Sequence, residues 1–137
     1  MAAVAENRTI LKDVDGAQLI VAEQSSLQIT ATVLDEAGVA VQLAVITAIT
    51  LTLYNRDSAT QDIINSLSDQ NVLNVDRGTM HPTNGLLTLQ LLPADNAIVN
   101  PASDLEWHRA LIEGIYGGGK AFKYEIEWPV RNLGKVS

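Results

Sequence analysis

The sequence contains no cysteine and only two histidines, which removes several kinds of site. Without cysteine there is no disulfide scaffold, no thiol nucleophile and no thiolate zinc site. Catalytic zinc usually takes three protein ligands, so His81 and His108 could hold it only with the help of a carboxylate. We therefore expect no bound metal.

Basic residues and long apolar runs are also scarce. Nine Lys and Arg stand against 16 Asp and Glu, for a net charge of −7, and the basic residues are scattered. A nucleic-acid interface needs them clustered, so we expect no direct nucleic-acid contact. The N-terminus lacks the basic start and apolar run of a secretory signal. The longest apolar-leaning stretch, residues 39–54, contains Gln42 and three threonines and is too β-like to span a membrane.

The sequence does contain many short segments in which apolar and polar residues alternate. With 47% hydrophobic and 18% charged residues, the composition is that of an ordered globular chain. Alternation with a period of two predicts half-buried strands rather than helices. The predicted strands are residues 17–23, 26–35, 46–55, a short one near 63–64, 86–92, 105–116 and 121–131.

Turn signals separate these strands. Residues 35–38, DEAG, predict a tight turn, because Asp can bond to its own backbone and Gly accepts positive φ. Asn84-Gly85 is a second strong turn signal. In residues 56–85 we also predict a single helical turn, with Ser68 as its N-cap. About seven strands with regular turns predict an all-β, two-sheet antiparallel sandwich in one domain, residues 17–137. Residues 1–16, with little periodicity, are interpreted as an N-terminal arm or leading edge segment.

The stretch GIYGGGKA, residues 114–121, is one residue short of a phosphate-binding loop. Such a loop needs a helix after it and a Ser or Thr after its Lys to hold magnesium. Here Lys120 is followed by Ala121 and by an alternating segment typical of a strand. We therefore predict a β-hairpin with the glycines at its tip, and no nucleotide cofactor.

Three further groups of residues are candidate sites. Glu106 and His108 share one face of a predicted strand and could form a metal site or acid–base pair, or simply a structural hydrogen bond. Ser103, Asp104 and His108 lie close in sequence, but this spacing carries no evidence for a triad. Trp107 and Trp128, on the two arms of the hairpin, could stack on a sugar or fill the core. No coherent catalytic constellation emerges, and we expect no catalytic residues and no enzyme activity.

The last third of the sequence, GLLTLQLLPADNAIVN and EWHRALIEGIYGGGKAFKYEIEWPVRNL, resembles a group of bacteriophage proteins. These are small immunoglobulin-like β-sandwich proteins encoded among the structural genes of tailed phages. The shared pattern is a strand of the form E-x-H-x-A-L, a glycine-rich hairpin and a closing strand ending V-x-N-L. The middle segment, LTLYNRDSATQDIINSLSDQNVLN, is also similar, so the resemblance covers about residues 26–134.

This resemblance implies an immunoglobulin-like fold and a non-catalytic virion component made in the host cytoplasm. The implied positions are the head, as a decoration protein, the neck or connector, and the tail or baseplate. Its partners would be copies of itself, in a homo-oligomer, and neighbouring phage structural proteins. The alternative function is a carbohydrate-binding module that uses Trp107 or Trp128 together with Tyr54, Tyr116 or Tyr124.

Overall fold

A computed structural model describes residues 8–12 and 15–135, and this part of the chain is all-β. Its helical segments are three short 3-10 turns, at Leu43–Val45, Pro93–Asn96 and Leu133–Lys135. None of the described segments is a helix long and apolar enough to cross a membrane. The nine strands are β1 Arg8–Ile10, β2 Val21–Ala22, β3 Leu27–Thr32, β4 Ile46–Asn55, β5 Gln70–Asn71, β6 Gly78–Met80, β7 Leu86–Leu91, β8 Leu105–Tyr116 and β9 Lys120–Arg131.

The strands form two sheets. The larger has the order β1-β9-β8-β4-β5, and β2 also pairs with β9, beyond the end of β1. The smaller has the order β3-β7-β6. The two-sheet prediction is confirmed, but the expectation of wholly antiparallel pairing is wrong, because β1 and β2 run parallel to β9. About seven strands were predicted, and the described residues form nine.

One apolar core lies between the sheets, and the alternation in the sequence accounts for it. On β3, Ile29 is buried while Gln28 and Thr30 are exposed, as the period of two predicts. The deepest side chains come from both sheets, so each sheet covers the apolar face of the other. Those least exposed to solvent include Ile29, Ile49, Leu51, Leu53, Leu87, Leu89, Leu91, Ile112 and Trp128.

The β8–β9 hairpin has the predicted position and pairing. Leu105 pairs with Arg131 at one end and Tyr116 with Lys120 at the other. Gly117, Gly118 and Gly119 connect the arms with φ angles of +53°, +80° and +114°. These positive values are costly for other residues, which explains the run of three glycines. The phosphate-loop alternative requires a helix after Lys120, and β9 is there instead.

The turns were predicted more accurately than the irregular middle of the chain. Asp35 accepts hydrogen bonds from the backbone N–H groups of Ala37 and Val39, and Gly38 has a φ of +81°. The helical turn predicted at Ser68 does not form. The chain instead extends into β5, since Asp69 takes a left-handed φ of +49° and redirects the backbone. The strand predicted near Ile63 is a single bridge to Tyr54.

Part of the segment interpreted as an arm belongs to the larger sheet. Strand β1 lies on the outer side of β9, with Thr9 paired to Ile126. Leu11 continues this contact, because its N–H donates to the Glu127 carbonyl at 3.0 Å, and its side chain packs against the core. Residues 1–7, 13 and 14 lie outside the described residues.

Candidate functional site

Glu106 and His108 form a buried pair near the start of β8. The spacing of two places both side chains on the inner face of the strand, as predicted. Glu106 Oε2 lies 2.6 Å from His108 Nε2. Both residues are essentially inaccessible, with exposed fractions of 1% and 0%. The two residues therefore meet in space, but without access to solvent.

The remaining bonds of Glu106 go to the loop that precedes β8. Its carboxylate accepts the Val99 N–H at 2.9 Å and the Asn100 N–H at 2.7 Å. Burial raises the pKa of Glu106, but the hydrogen bonds from His108 and these two amides outweigh it and hold the pKa below its ordinary value. Glu106 is thus a carboxylate at neutral pH and ties residues 99–100 to the sheet.

Metal binding at this pair would require further ligands. Within residues 8–12 and 15–135 no group of three His, Asp or Glu side chains is arranged to hold a metal ion. Apart from His108, the groups that contact the Glu106 carboxylate are backbone N–H donors, which cannot ligate a cation. The neighbouring residues in sequence bond elsewhere. The Asn132 backbone N–H donates to the Asp104 carbonyl, and the Asn132 side-chain amide donates to the Ser103 carbonyl. The arrangement is chemically suited to anchoring a loop.

Trp128 continues the buried polar network. Its ring is 0% exposed and meets the His108 ring edge-on, with centroids 6.3 Å apart. Trp128 Nε1 donates to Asn96 Oδ1 at 2.9 Å, and Asn96 Nδ2 donates to the Ser25 carbonyl at 2.7 Å. This tryptophan therefore fills the core and fixes the 3-10 turn at residues 93–96.

Trp107 lies on the opposite face of the same sheet. Trp107 pairs across the hairpin with Pro129, the residue next to Trp128, so the side chains of the two tryptophans lie on opposite faces of the sheet. The guanidinium of Arg56 stacks over the Trp107 ring, 4.5 Å from its centroid. Because the two tryptophans point to opposite sides, they do not form a common platform for a ligand.

Near Trp107 a buried carboxylate holds two arginines. Glu127 is 1% exposed, and its Oε2 accepts from Arg56 Nη1 at 3.0 Å and Arg109 Nη2 at 3.1 Å. Arg109 Nη1 also donates to the Tyr54 hydroxyl at 2.9 Å. Burial raises the pKa of Glu127, but the two guanidinium groups lower it by more than burial raises it. The pKa of Glu127 is therefore below its ordinary value. The alternation along β9 places Glu127 on the face opposite to Trp128, but it does not indicate that Glu127 is buried.

A second buried ion pair joins Arg77, the residue before β6, to the 3-10 turn Pro93–Asn96. Asp95 is 0% exposed and accepts two hydrogen bonds from Arg77. Arg77 Nε donates to Asp95 Oδ2, and Arg77 Nη2 donates to Asp95 Oδ1 at 2.9 Å. Asn65 Nδ2 and the Leu92 N–H each donate to the same carboxylate at 2.8 Å. The bond to Asp95 raises the pKa of Arg77 above its ordinary value, despite partial burial. The four donors satisfy Asp95 completely.

A concavity lies beside the hairpin tip. It has a volume of about 520 Å³. Lys120 borders it and lies 3.6 Å from Glu36 on the facing turn. Tyr124 is half-buried at its rim, and its hydroxyl accepts the Leu34 N–H at 3.4 Å. The lining is Leu34, Asp35, Glu36, Tyr116, Lys120, Ala121, Phe122, Lys123 and Tyr124.

His81 lies in the turn before β7, directly before Pro82. Its Nδ1 accepts the N–H groups of Thr83 and Asn84 at 3.1 and 3.2 Å, so it stabilises that turn. His81 and His108 are not brought together, because His108 is in the core and His81 is exposed.

Comparison with known proteins adds no relative: no family model, curated protein or solved structure matches this chain.

Proposed function

We propose that the two sheets form an immunoglobulin-like sandwich. In that fold one sheet contains the strands B, E and D, and the other contains C, F and G. Strands β3, β7 and β6 follow the first order, and β4, β8 and β9 follow the second. Strand β5, paired to β4 at the far edge, corresponds to the additional C′ strand of variable-type domains.

We further propose that the protein is a non-catalytic structural component of a tailed-phage virion, at the head or neck, acting through protein–protein contacts. One observation carries the proposal. The residues that resemble the phage proteins include the β8–β9 hairpin, and this hairpin lies in an immunoglobulin-like strand order. The buried ionisable groups support it, since Glu106, Asp95 and Glu127 each hold loops or strands together.

Membership of the virion is tested on particles from the phage genome that encodes the chain. Particles are banded in a density gradient, washed in high salt, and analysed by quantitative mass spectrometry. We expect a fixed number of copies per particle, and absence from washed particles contradicts the proposal. Electron microscopy with a label on the C-terminus then separates a head or neck position from the tail or baseplate.

Carbohydrate binding is a second candidate, favoured by the groove beside the hairpin tip. Of the aromatic candidates, Tyr54, Tyr116 and Trp128 are buried and Tyr124 is half-buried. Tyr116 and Tyr124 line this groove together with Asp35 and Lys120. Small-ligand sites combine such apolar walls with a few polar groups. A glycan array followed by calorimetry is the test, and we expect Tyr124→Ala to abolish any sugar binding. Binding unchanged in this variant excludes the groove.

A further inference from the structure

Strand β3 forms an open edge of the smaller sheet. It pairs on one side with β7, and among the described residues no strand lies on its other side. The opposite edge, β6, is covered by its own chain: the Gly78 N–H donates to the Val75 carbonyl and the Met80 N–H to the Asn74 side chain. The smaller sheet therefore has one covered edge and one open edge.

The ladder geometry defines which groups of β3 face outward. The Val33 N–H donates to the Gly85 carbonyl at 2.8 Å, just beyond the Thr32–Leu86 pair. In an antiparallel ladder hydrogen-bonded pairs alternate with non-bonded ones. The odd-numbered residues of β3 consequently bond to β7. The backbone N–H and C=O groups of Gln28, Thr30 and Thr32 point away from it.

This edge lacks the features that usually prevent strand pairing. Natural edge strands are protected by charged residues, prolines, bulges or shortness. Strand β3 has six residues, LQITAT, with no charge and no proline, in a chain of net charge −7. The side chains of Gln28, Thr30 and Thr32 are all exposed.

A row of threonines crosses the smaller sheet and ends at this edge. Thr79 lies opposite Thr88, and Thr88 lies opposite Thr30. Threonine pairs on neighbouring strands are mutually favourable. The row ends at Thr30, and a second Thr30 placed against it would continue the row into another molecule.

We propose that β3 pairs antiparallel with β3 of a second copy, about a two-fold axis at Thr30. Thr30 then meets Thr30 of the second copy, and Gln28 meets Thr32 on either side. All three pairs are hydrogen-bonded pairs, which gives about six inter-chain bonds. A two-fold contact uses the same surface on both molecules, and this neutral strand suits self-pairing because it brings no like charges together. The inference deepens the proposed function by naming one assembly contact.

The first experiment measures the mass of the purified full chain, 14.7 kDa as a monomer, by light scattering and sedimentation over a range of concentrations. We expect a dimer that dissociates on dilution. Thr30→Lys places two ammonium groups opposite each other and should weaken the dimer at least about tenfold. Thr88→Lys, on the same face of the central strand, is the matched control and should change dissociation by less than about threefold.

The register is tested by a single cysteine in this cysteine-free chain. In a hydrogen-bonded pair the Cα atoms lie about 5.5 Å apart, within the range of a disulfide. We expect Thr30→Cys to oxidise to a covalent, disulfide-linked dimer, and Thr79→Cys, at the covered edge, to form no covalent dimer. Monomers at about 1 mM, a Thr30→Lys variant as dimeric as the wild type, or equal cross-linking at both sites would overturn the proposal.

Failure of this contact can be distinguished from failure of the proposed function. If sedimentation shows a dimer that dissociates reversibly on dilution but washed particles contain no copies of the protein, the β3 contact is retained and the virion role is rejected. If the protein is a monomer in solution but is present in particles at a fixed copy number, the virion role is retained and the β3 contact is rejected. Circular dichroism melts of Thr30→Lys and Thr88→Lys, recorded at a dilution at which both variants are monomeric, should agree within about two degrees, which shows that both variants are folded.

Discussion

Phe122 lies directly across the β8–β9 hairpin from Gly114, and its ring occupies the space that a side chain at residue 114 would need. Tyr116 and Tyr124 flank that ring, with centroids 6.2 and 5.8 Å away. Gly114 therefore serves as a packing position in the middle of a strand. The aromatic residue covers the backbone that the glycine leaves bare.

Gly114→Ala should destabilise the protein. The added methyl group would collide with the Phe122 ring, and overpacking of this kind costs about 1–3 kcal/mol. Urea denaturation followed by fluorescence measures the effect. Ile115→Val, at the exposed neighbouring position, is the control and should stay within about 0.5 kcal/mol. Equal stabilities of the two variants would show that the ring does not cover residue 114.

Ile126→Ala tests the buried face of β9. Ile126 is 4% exposed, and removal of its side chain leaves a cavity that should cost about 2–5 kcal/mol. Lys123→Ala, on the opposite face of the same strand, should stay within about 0.5 kcal/mol, since its contact with Glu113 is solvent-exposed. Chemical denaturation compares the two, and the reverse ranking would mean that the register of β9 is wrong.

Glu106→Gln should remove part of the acid sensitivity of the fold. Because the folded-state pKa of Glu106 lies below its ordinary value of 4.5, its charge stabilises the fold at neutral pH. That stabilisation is lost as the pH falls from about 4.5 through the lower folded-state pKa. The free energy of unfolding, measured from pH 7 to pH 2.5, should therefore fall less in Glu106→Gln than in the wild type. Glu36→Gln, at an exposed position, should follow the wild-type curve.

Glu127→Ala should be among the most destabilising single changes outside the apolar core. It leaves the guanidinium groups of Arg56 and Arg109 without their shared carboxylate, and breaking a buried pair costs about 3–5 kcal/mol. Glu113→Ala, which loses only an exposed partner, should cost less than about 1 kcal/mol. Similar losses in denaturation midpoint would show that Glu127 contributes as a surface charge.

The sequence predicted the elements whose signals are local. Strand β4 alternates over ten residues, and the turn at Asp35 and Gly38 and the glycine hairpin each have their own chemistry. Strands β5 and β6 were missed, and β2 is shorter than the strand predicted at residues 17–23, because two or three residues cannot display a period. Pairs such as Arg56 and Glu127, 71 residues apart, depend on the register between β4, β8 and β9, which no local pattern specifies.

Deletion of residues 1–16 tests how much the N-terminal segment contributes to the isolated domain. It removes β1 and the Leu11 side chain, which packs against the core, and uncovers the outer edge of β9. Loss of one such apolar contact costs about 1.5–3 kcal/mol, so the melting temperature should fall by roughly 3–12 °C. Leu11→Ala in the full chain should account for about half of that fall if side-chain packing is the main contribution. Calorimetric melts that coincide for the deletion and the full chain would show instead that the segment is an appendage, free to act as an assembly arm.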